Sequence, residues 1–439
     1  MGQEEVQEHY LKDYQPSAFI IEEAALVFHL DVRRTRVQGE YQVKRNSKSK
    51  DNSTTLSLDG EQMELLSIQI DGQDLATESY QQHPDRLEIF SVADSFVLTL
   101  EVVINPQENK ALSGLYLSQG QYCTQCESQG FRRIIYFLDR PDVMAKFKTK
   151  IIAPKDKFTA LLSNGNLLAD RINVDGFQEV EWEDPFPKPS YLFALVAGQF
   201  DELEDTFITM HKRKVKLYIY VDRGRRHQGE FALDCLKRAM EWDERAYGRE
   251  CDLDRYSIVA IHDFNYGAME NKGLNVFNSR YVLADPKTAT DQDYMLVDTV
   301  IAHEYFHNWS GNRVTLRDWF QISIKEGLTV FREQSYAEEQ YGVLTQRIAA
   351  VNRLKTIQFA EDAGPLSHPV QPKSYKKIDN FYTATVYEKG AEVVRMLSVL
   401  LGAKNFRKAM DHYFSTYDGQ AVTKDDFLAV MENTSGMDL

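Results

Sequence analysis

Two histidines stand four residues apart in HEYFHNW, residues 303–309, with a glutamate beside the first. On a helix that spacing is just over one turn, so the imidazoles of His303 and His307 leave one face and can grip a metal ion. Two ligands make a poor site. A third is found in the next helical stretch, DWFQISIKEGLTVF, where Glu326 lies nineteen residues beyond His307. Two histidines and a carboxylate leave the fourth tetrahedral position of zinc open to water, the catalytic rather than the structural arrangement. Glu304, about 100° around the helix from His303, reaches that water without ligating. Zinc lowers the pKa of the water toward neutrality, and a carboxylate can take its proton during attack on a carbonyl. The chemistry implied is metal-assisted hydrolysis of an amide or ester. Singly, the histidines read as partly buried helix residues and Glu326 as a solvated charge; the constellation points to a metal.

The elements that must hold these residues are legible around them. TATDQDYMLVDTVIAHEYFHNWSGN reads as one helix, capped by Thr290 or a neighbour, with Asp291 and Asp293 at the positive end of its dipole. Gly311-Asn312 is expected to stop it, which places both histidines late in a helix. Glu333, seven residues past Glu326, is read either as an acceptor for a ligating histidine or as a solvated charge.

Upstream, residues 16 to about 190 read mostly as strands, among them AFIIEEAALVFHLDV, SFVLTLEVVINP and AKFKTKIIAP, the last followed by the turn SNGN. EDPFPKPSY then sets Pro185, Pro187 and Pro189 in alternation, which argues against a mid-sheet strand and for a boundary nearby. Beyond about 200 the pattern is mixed. KVKLYIYVD and YSIVAIHDF look like strands, HQGEFALDCLKRAMEWDERAYG looks helical, and helices dominate after 290. A β-rich domain over 1–198 and an α+β domain over 199–439 are expected.

Composition narrows the function class. A chain of 439 residues suggests two or three domains, and 43% hydrophobic residues are ample for sizeable cores. A formal charge of -15 argues against nucleic acid, whose binding rests on Lys and Arg, and leaves room for cationic small ligands. MGQEEVQEHYLKDYQ has neither the basic nor the apolar region of a signal peptide, and no apolar run is long enough to span a bilayer. With four cysteines in all, the lone CxxC of Cys123 and Cys126 reads as ordinary reduced thiols. A cytoplasmic chain without membrane association is expected.

GAMEN at 267–271, HEYFHNWSGN at 303–312, the HExxH-x18-E spacing to Glu326, FYTATVYEKGAEV at 381–393 and QCESQGFRRIIYFLDRPDVMAKF in the first half stand in order along nearly the whole chain. In these motifs the sequence resembles the M1 metallopeptidases, the gluzincin aminopeptidases, and their bacterial aminopeptidase N branch in particular. The resemblance implies an α+β multidomain fold: an N-terminal β-sheet saddle domain followed by a thermolysin-like α+β catalytic domain. It implies one Zn2+ per chain, removal of the N-terminal residue from peptides with a free N-terminus, and a monomer. It makes His303, His307 and Glu326 ligands, Glu304 the general base and Tyr387 a stabiliser of the transition state. It also assigns Glu127 and Glu270 to the substrate ammonium, which buried carboxylates can hold by charge-assisted hydrogen bonds. By residue type alone, Glu127 reads as a surface glutamate and Tyr387 as a core or rim tyrosine.

Gly267, Ala268, Met269 and Asn271 complete the substrate segment. Gly267 would allow close backbone approach, an extended peptide could add to the segment as a strand, and Asn271 is read mainly as holding its turn. Tyr382 joins as a pocket residue, as does Tyr266, where bacterial relatives commonly carry methionine. GAMEN argues against the epoxide-hydrolysing branch of the family, and the complete set of ligands and base against a non-catalytic scaffold. Such relatives continue for roughly as long again past the position of Leu439, so the chain is expected to be an N-terminal portion of a longer enzyme.

Overall fold

Strict alternation builds the first half of the chain. In TRVQGEYQVKR, residues Thr35–Arg45, every second side chain from Thr35 to Val43 is buried and the intervening ones are exposed, the signature of a strand with one wet face. The computed structural model describes residues 8–439; the acidic N-terminal stretch lies outside the described residues as far as Gln7. Eight strands pair in the order Asn166–Ile172, Phe177–Pro189, Met144–Pro154, Phe19–His29, Thr35–Arg45, Ser95–Ile104, Glu64–Ile70 and Gln73–Asp74. Phe131, Phe137, Phe147 and Phe193 form an aromatic cluster with ring centroids 5.0–5.9 Å apart.

The alternating prolines do not interrupt this sheet as their spacing led us to expect. They lie inside Phe177–Pro189. The reason is local: pairing with Met144–Pro154 breaks at a bulge between Ala145 and Phe147, so Pro185 and Pro187 face no ladder partner. On the other side, Asn166–Ile172 pairs only with residues 178–183. A proline is tolerated at such a bulge because no backbone donor is required there.

A second sheet runs Phe200–Ile208, Lys214–Asp222, Arg255–Ile261, Leu274–Asn278 and Ala268–Met269, with the last at its edge. A four-stranded sheet orders Gly114–Ser118, Gln121–Gln125, Leu195–Gly198 and Ala160–Ser163. The helices are α1 (Glu230–Tyr247), α2 (Asp291–Phe306), α3 (Ile322–Tyr341), α4 (Val343–Arg353), α5 (Phe359–Asp362), α6 (Gly390–Thr416) and α7 (Lys424–Ser435). π-Helical turns occupy Leu354–Gln358 and Thr385–Lys389. The chain is thus β-rich in its first part and mixed α/β in its second.

By packing, the chain divides into two units. One comprises Pro16–Lys237 and Cys251–Glu304; the other comprises Arg238–Glu250 and Tyr305–Leu439 with the stretch ending at Gln15. The division passes through α1 and α2, each a continuous helix. Within the second unit, α3 and α6 cross at glycine: a Cβ on Gly327 would lie 2.8 Å from the carbonyl carbon of Gly390. Only two glycines permit so close an approach. Among the described residues, no helix is long and apolar enough to cross a membrane.

Candidate metal centre and active site

Thr290 caps α2. Its hydroxyl accepts from the Asp293 amide (3.2 Å), and the Asp293 carboxylate accepts from the Thr290 amide (2.9 Å), a reciprocal box that satisfies the helix's first donors. The helix ends earlier than its sequence suggested, at Phe306 rather than near Gly311, so His307 stands one residue beyond its regular part. Hydrogen bonds from the Asn308 amide to Tyr305 O and from the Trp309 amide to Phe306 O tighten the end, and Arg332 donates to the Phe306 carbonyl at 2.7 Å. The Phe306 carbonyl also accepts from the Ser310 amide (3.2 Å), so several donors converge on it where the chain leaves the helix. Gly311, at φ +137°, packs against His307: a Cβ there would come within 3.0 Å of the imidazole Nδ1.

His303, His307 and Glu326 are all buried, and one ligand atom from each lies within 4.8 Å of the others. The His307 Nε2 to Glu326 Oε2 distance is 3.3 Å. Two atoms each about 2.1 Å from a tetrahedral zinc are separated by about 3.4 Å, so this spacing suits a shared ion. Nδ1 of His307 faces the Ser310 carbonyl oxygen at 2.8 Å. A carbonyl can only accept, so the proton sits on Nδ1 and the Nε2 lone pair is left for a metal. The other oxygen of Glu326 is 3.2 Å from the ammonium of Lys325, itself 1% exposed. The donor set fits zinc: two imidazoles and one carboxylate, with the Lys325 ammonium beside the carboxylate. Glu333 lies on α3 beyond Glu326 and is half-buried.

Beside these ligands the structure gathers carboxylates. Glu304, Glu270 and His307 present atoms within 4.8 Å of one another, and Glu127 lies equally close to Glu270. Glu127 is only 8% exposed, against the surface position that its residue type suggested. Gln125, which opens the QCES motif but is assigned no role by it, donates to the Glu127 carbonyl (3.2 Å) and to the Met269 sulfur (3.6 Å), joining the two segments. Burial raises the phenol pKa of Tyr256 well above its usual range, with smaller contributions from Cys251, Glu304 and Glu270.

Ala268 and Met269 pair with Phe277 and Val276 at the edge of the five-stranded sheet, so the outer side of the segment carries no further strand. In the turn that follows, the backbone carbonyl of Asn271 accepts from the Leu274 amide (3.0 Å) and from the Asn275 side chain (3.1 Å). Asn164 donates to the Lys272 carbonyl (2.9 Å) and thereby ties the turn to the SNGN segment. Gly267 is exposed, and a Cβ there would meet only the Tyr281 ring, at 3.4 Å. Tyr266 is half-buried against Phe264. Tyr382 follows the 3-10 turn Ile378–Phe381, and Tyr387 lies half-buried in the π-turn Thr385–Lys389. The Gly327–Gly390 crossing brings that turn against α3, the helix of Glu326. Cys123 and Cys126 are buried free thiols, and burial pushes Cys123 up to about 12.

The Peptidase M1 N-terminal domain matches residues 8–192, and the Peptidase family M1 domain matches residues 231–439. The chain belongs to peptidase family M1. It is 56% identical to an aminopeptidase N of Caulobacter vibrioides, covering 98% of this chain and 49% of that protein. It is 50% identical to the Escherichia coli aminopeptidase N, over 99% of this chain and 49% of the other. A solved structure, Legionella pneumophila aminopeptidase A in complex with aspartic acid, superposes with a TM-score of 0.91 at 36% identity, covering 98% of this chain and 50% of that one. The chain spans about half the length of the curated relatives it matches.

Proposed function

We propose that this chain carries the active site of a zinc aminopeptidase, which removes the first residue from peptides and aminoacyl-arylamides that have a free N-terminus. One observation carries the reading: Glu270 stands within 4.8 Å of both Glu127 and Glu304. Two buried carboxylates suit an ammonium, and a third beside a metal ligand suits a base. An exopeptidase requires these functions side by side.

His303, His307 and Glu326 would hold one zinc ion, which when bound supplies Lewis acidity and acidifies water. Glu304 accepts the proton from the attacking water and returns it to the leaving amine. Glu127 and Glu270 fix the substrate ammonium, and this sets the register so that only the first peptide bond reaches the base. The Gly267–Asn271 segment offers its edge to the substrate backbone, with Ala268 and Met269 beneath it. Tyr387 donates its phenolic proton toward the developing oxyanion. Tyr266 and Tyr382 line the pocket for the first side chain.

The boundary between the β-rich and catalytic domains falls at 198/199. Support comes from the strand Leu195–Gly198, which belongs to one sheet, and the strand Phe200–Ile208, which opens another. A monomer in the cytoplasm completes the proposal.

The test compares turnover of an alanyl-arylamide and its N-acetyl counterpart by the parent chain and by Glu304→Gln, with zinc content measured in both. The parent should cleave the free amine and refuse the acetylated form. Glu304→Gln should retain zinc and lose nearly all hydrolysis, because an amide cannot accept the proton. Efficient cleavage of the acetylated substrate, or an active Glu304→Gln protein, would contradict the reading.

A further inference from the structure

Behind His307 lies a chain of buried polar groups that the proposed chemistry leaves unassigned. Thr329, Ser310, Arg332 and Asp243 are each 0% exposed. Arg332 can only donate. One of its terminal nitrogens gives hydrogen bonds to the Ser310 hydroxyl (2.8 Å) and the Phe306 carbonyl (2.7 Å), and the other binds the Asp243 carboxylate from α1. With its oxygen accepting from Arg332, the Ser310 hydroxyl is free to give its proton to Thr329 Oγ1, 2.8 Å away. The Thr329 hydroxyl in turn donates to the Ser310 carbonyl at 3.1 Å. That same carbonyl accepts from His307 Nδ1 at 2.8 Å, with Thr329 Oγ1 3.2 Å from the ring nitrogen.

The Ser310 hydroxyl also lies 3.1 Å from the Phe306 carbonyl, a second acceptor within its reach. We propose that Thr329 is a positioning residue. With Ser310 and the Arg332–Asp243 pair, it fixes the Ser310 carbonyl, and through it the tautomer and ring plane of His307. The need is local, since the carbonyl belongs to the turn after α2, where no helical ladder restrains it. The restraint comes from α3, whose Glu326, Thr329 and Arg332 succeed one another at three-residue intervals along one side of the helix. One helix thus delivers a metal ligand and the two groups that steady another ligand. The inference rests on the zinc reading above.

The test measures zinc affinity by chelator competition in the parent, Thr329→Val and Thr329→Ser, together with the thermal midpoints of the metal-free proteins. Loss of the hydroxyl in Thr329→Val should weaken zinc binding about 10–100-fold, while Thr329→Ser should stay within about threefold of the parent. The metal-free midpoints of all three should lie close together. Thr329→Ala also removes the hydroxyl, without setting a second methyl against the ring, and is read in the same way should Thr329→Val fail to fold. Unchanged affinity in the variants lacking the hydroxyl, or equal loss in Thr329→Ser, would overturn the proposal while leaving the zinc reading intact. A parent chain that takes up no zinc would overturn both.

Discussion

Tyr387 sits in a π-helical turn whose first residue, Thr385, donates its amide to the Glu361 carboxylate at 2.8 Å and accepts from Gln358 at 3.3 Å. Short π-turns inside helices often mark functional positions, because the extra residue swings a side chain out of the regular helical register. A phenol held there can meet an oxyanion without first being ordered. Replacing Tyr387 with phenylalanine should lower kcat by about 10²–10³ and leave KM little changed, since the hydrogen bond matures in the transition state. Steady-state kinetics at matched zinc content measure this, and a change confined to KM would move Tyr387 from chemistry to binding.

At this scale the sequence was uneven. HExxH and Glu326 were readable because ligand types and spacing are themselves the signal. Glu127 was reached only through the family resemblance, because its burial follows from packing that brings its segment against Met269, 144 residues from Gln125. The acceptor for His307 was invisible for another reason: it is a backbone carbonyl, which no residue type announces. The pattern E-x-x-T-x-x-R in α3 was the available hint, and it acquires meaning only once α3 lies against the end of α2.

Elements were legible where periodicity decided them and misread where packing did. The strands Phe19–His29 and Ser95–Ile104 and helix α1 follow from alternation and from three- and four-residue intervals. Local propensity could not show that Arg332 would capture the Phe306 carbonyl at the end of α2 or that a bulge would accommodate Pro185 and Pro187. Nor did composition reveal the glycine crossing of α3 and α6. Gly327→Ala should force the two helices apart, with a stability loss of about 1–3 kcal/mol, the usual range for overpacking. Activity should fall further than stability alone explains, because the turn bearing Tyr387 ends at that contact. Chemical denaturation alongside turnover at a temperature where the variant remains folded would show this. An unchanged midpoint would mean that the glycine pair does not set the helix spacing.

For the whole molecule, β-rich and mixed halves were foreseeable from composition along the chain, and the family follows from motifs that span both. A formal charge of -15 argues against a phosphate-binding surface. The division into packed units was not foreseeable, because it cuts through α1 and α2 instead of falling at a linker. The catalytic reading depends on a single ion held by His303, His307 and Glu326. The most direct measurement is zinc per chain, by elemental analysis after exhaustive desalting, in the parent and in Glu326→Ala. One zinc in the parent and a sharp loss in the variant is the expected result. A parent chain without zinc, or a variant that keeps a full tightly held equivalent, would contradict the account.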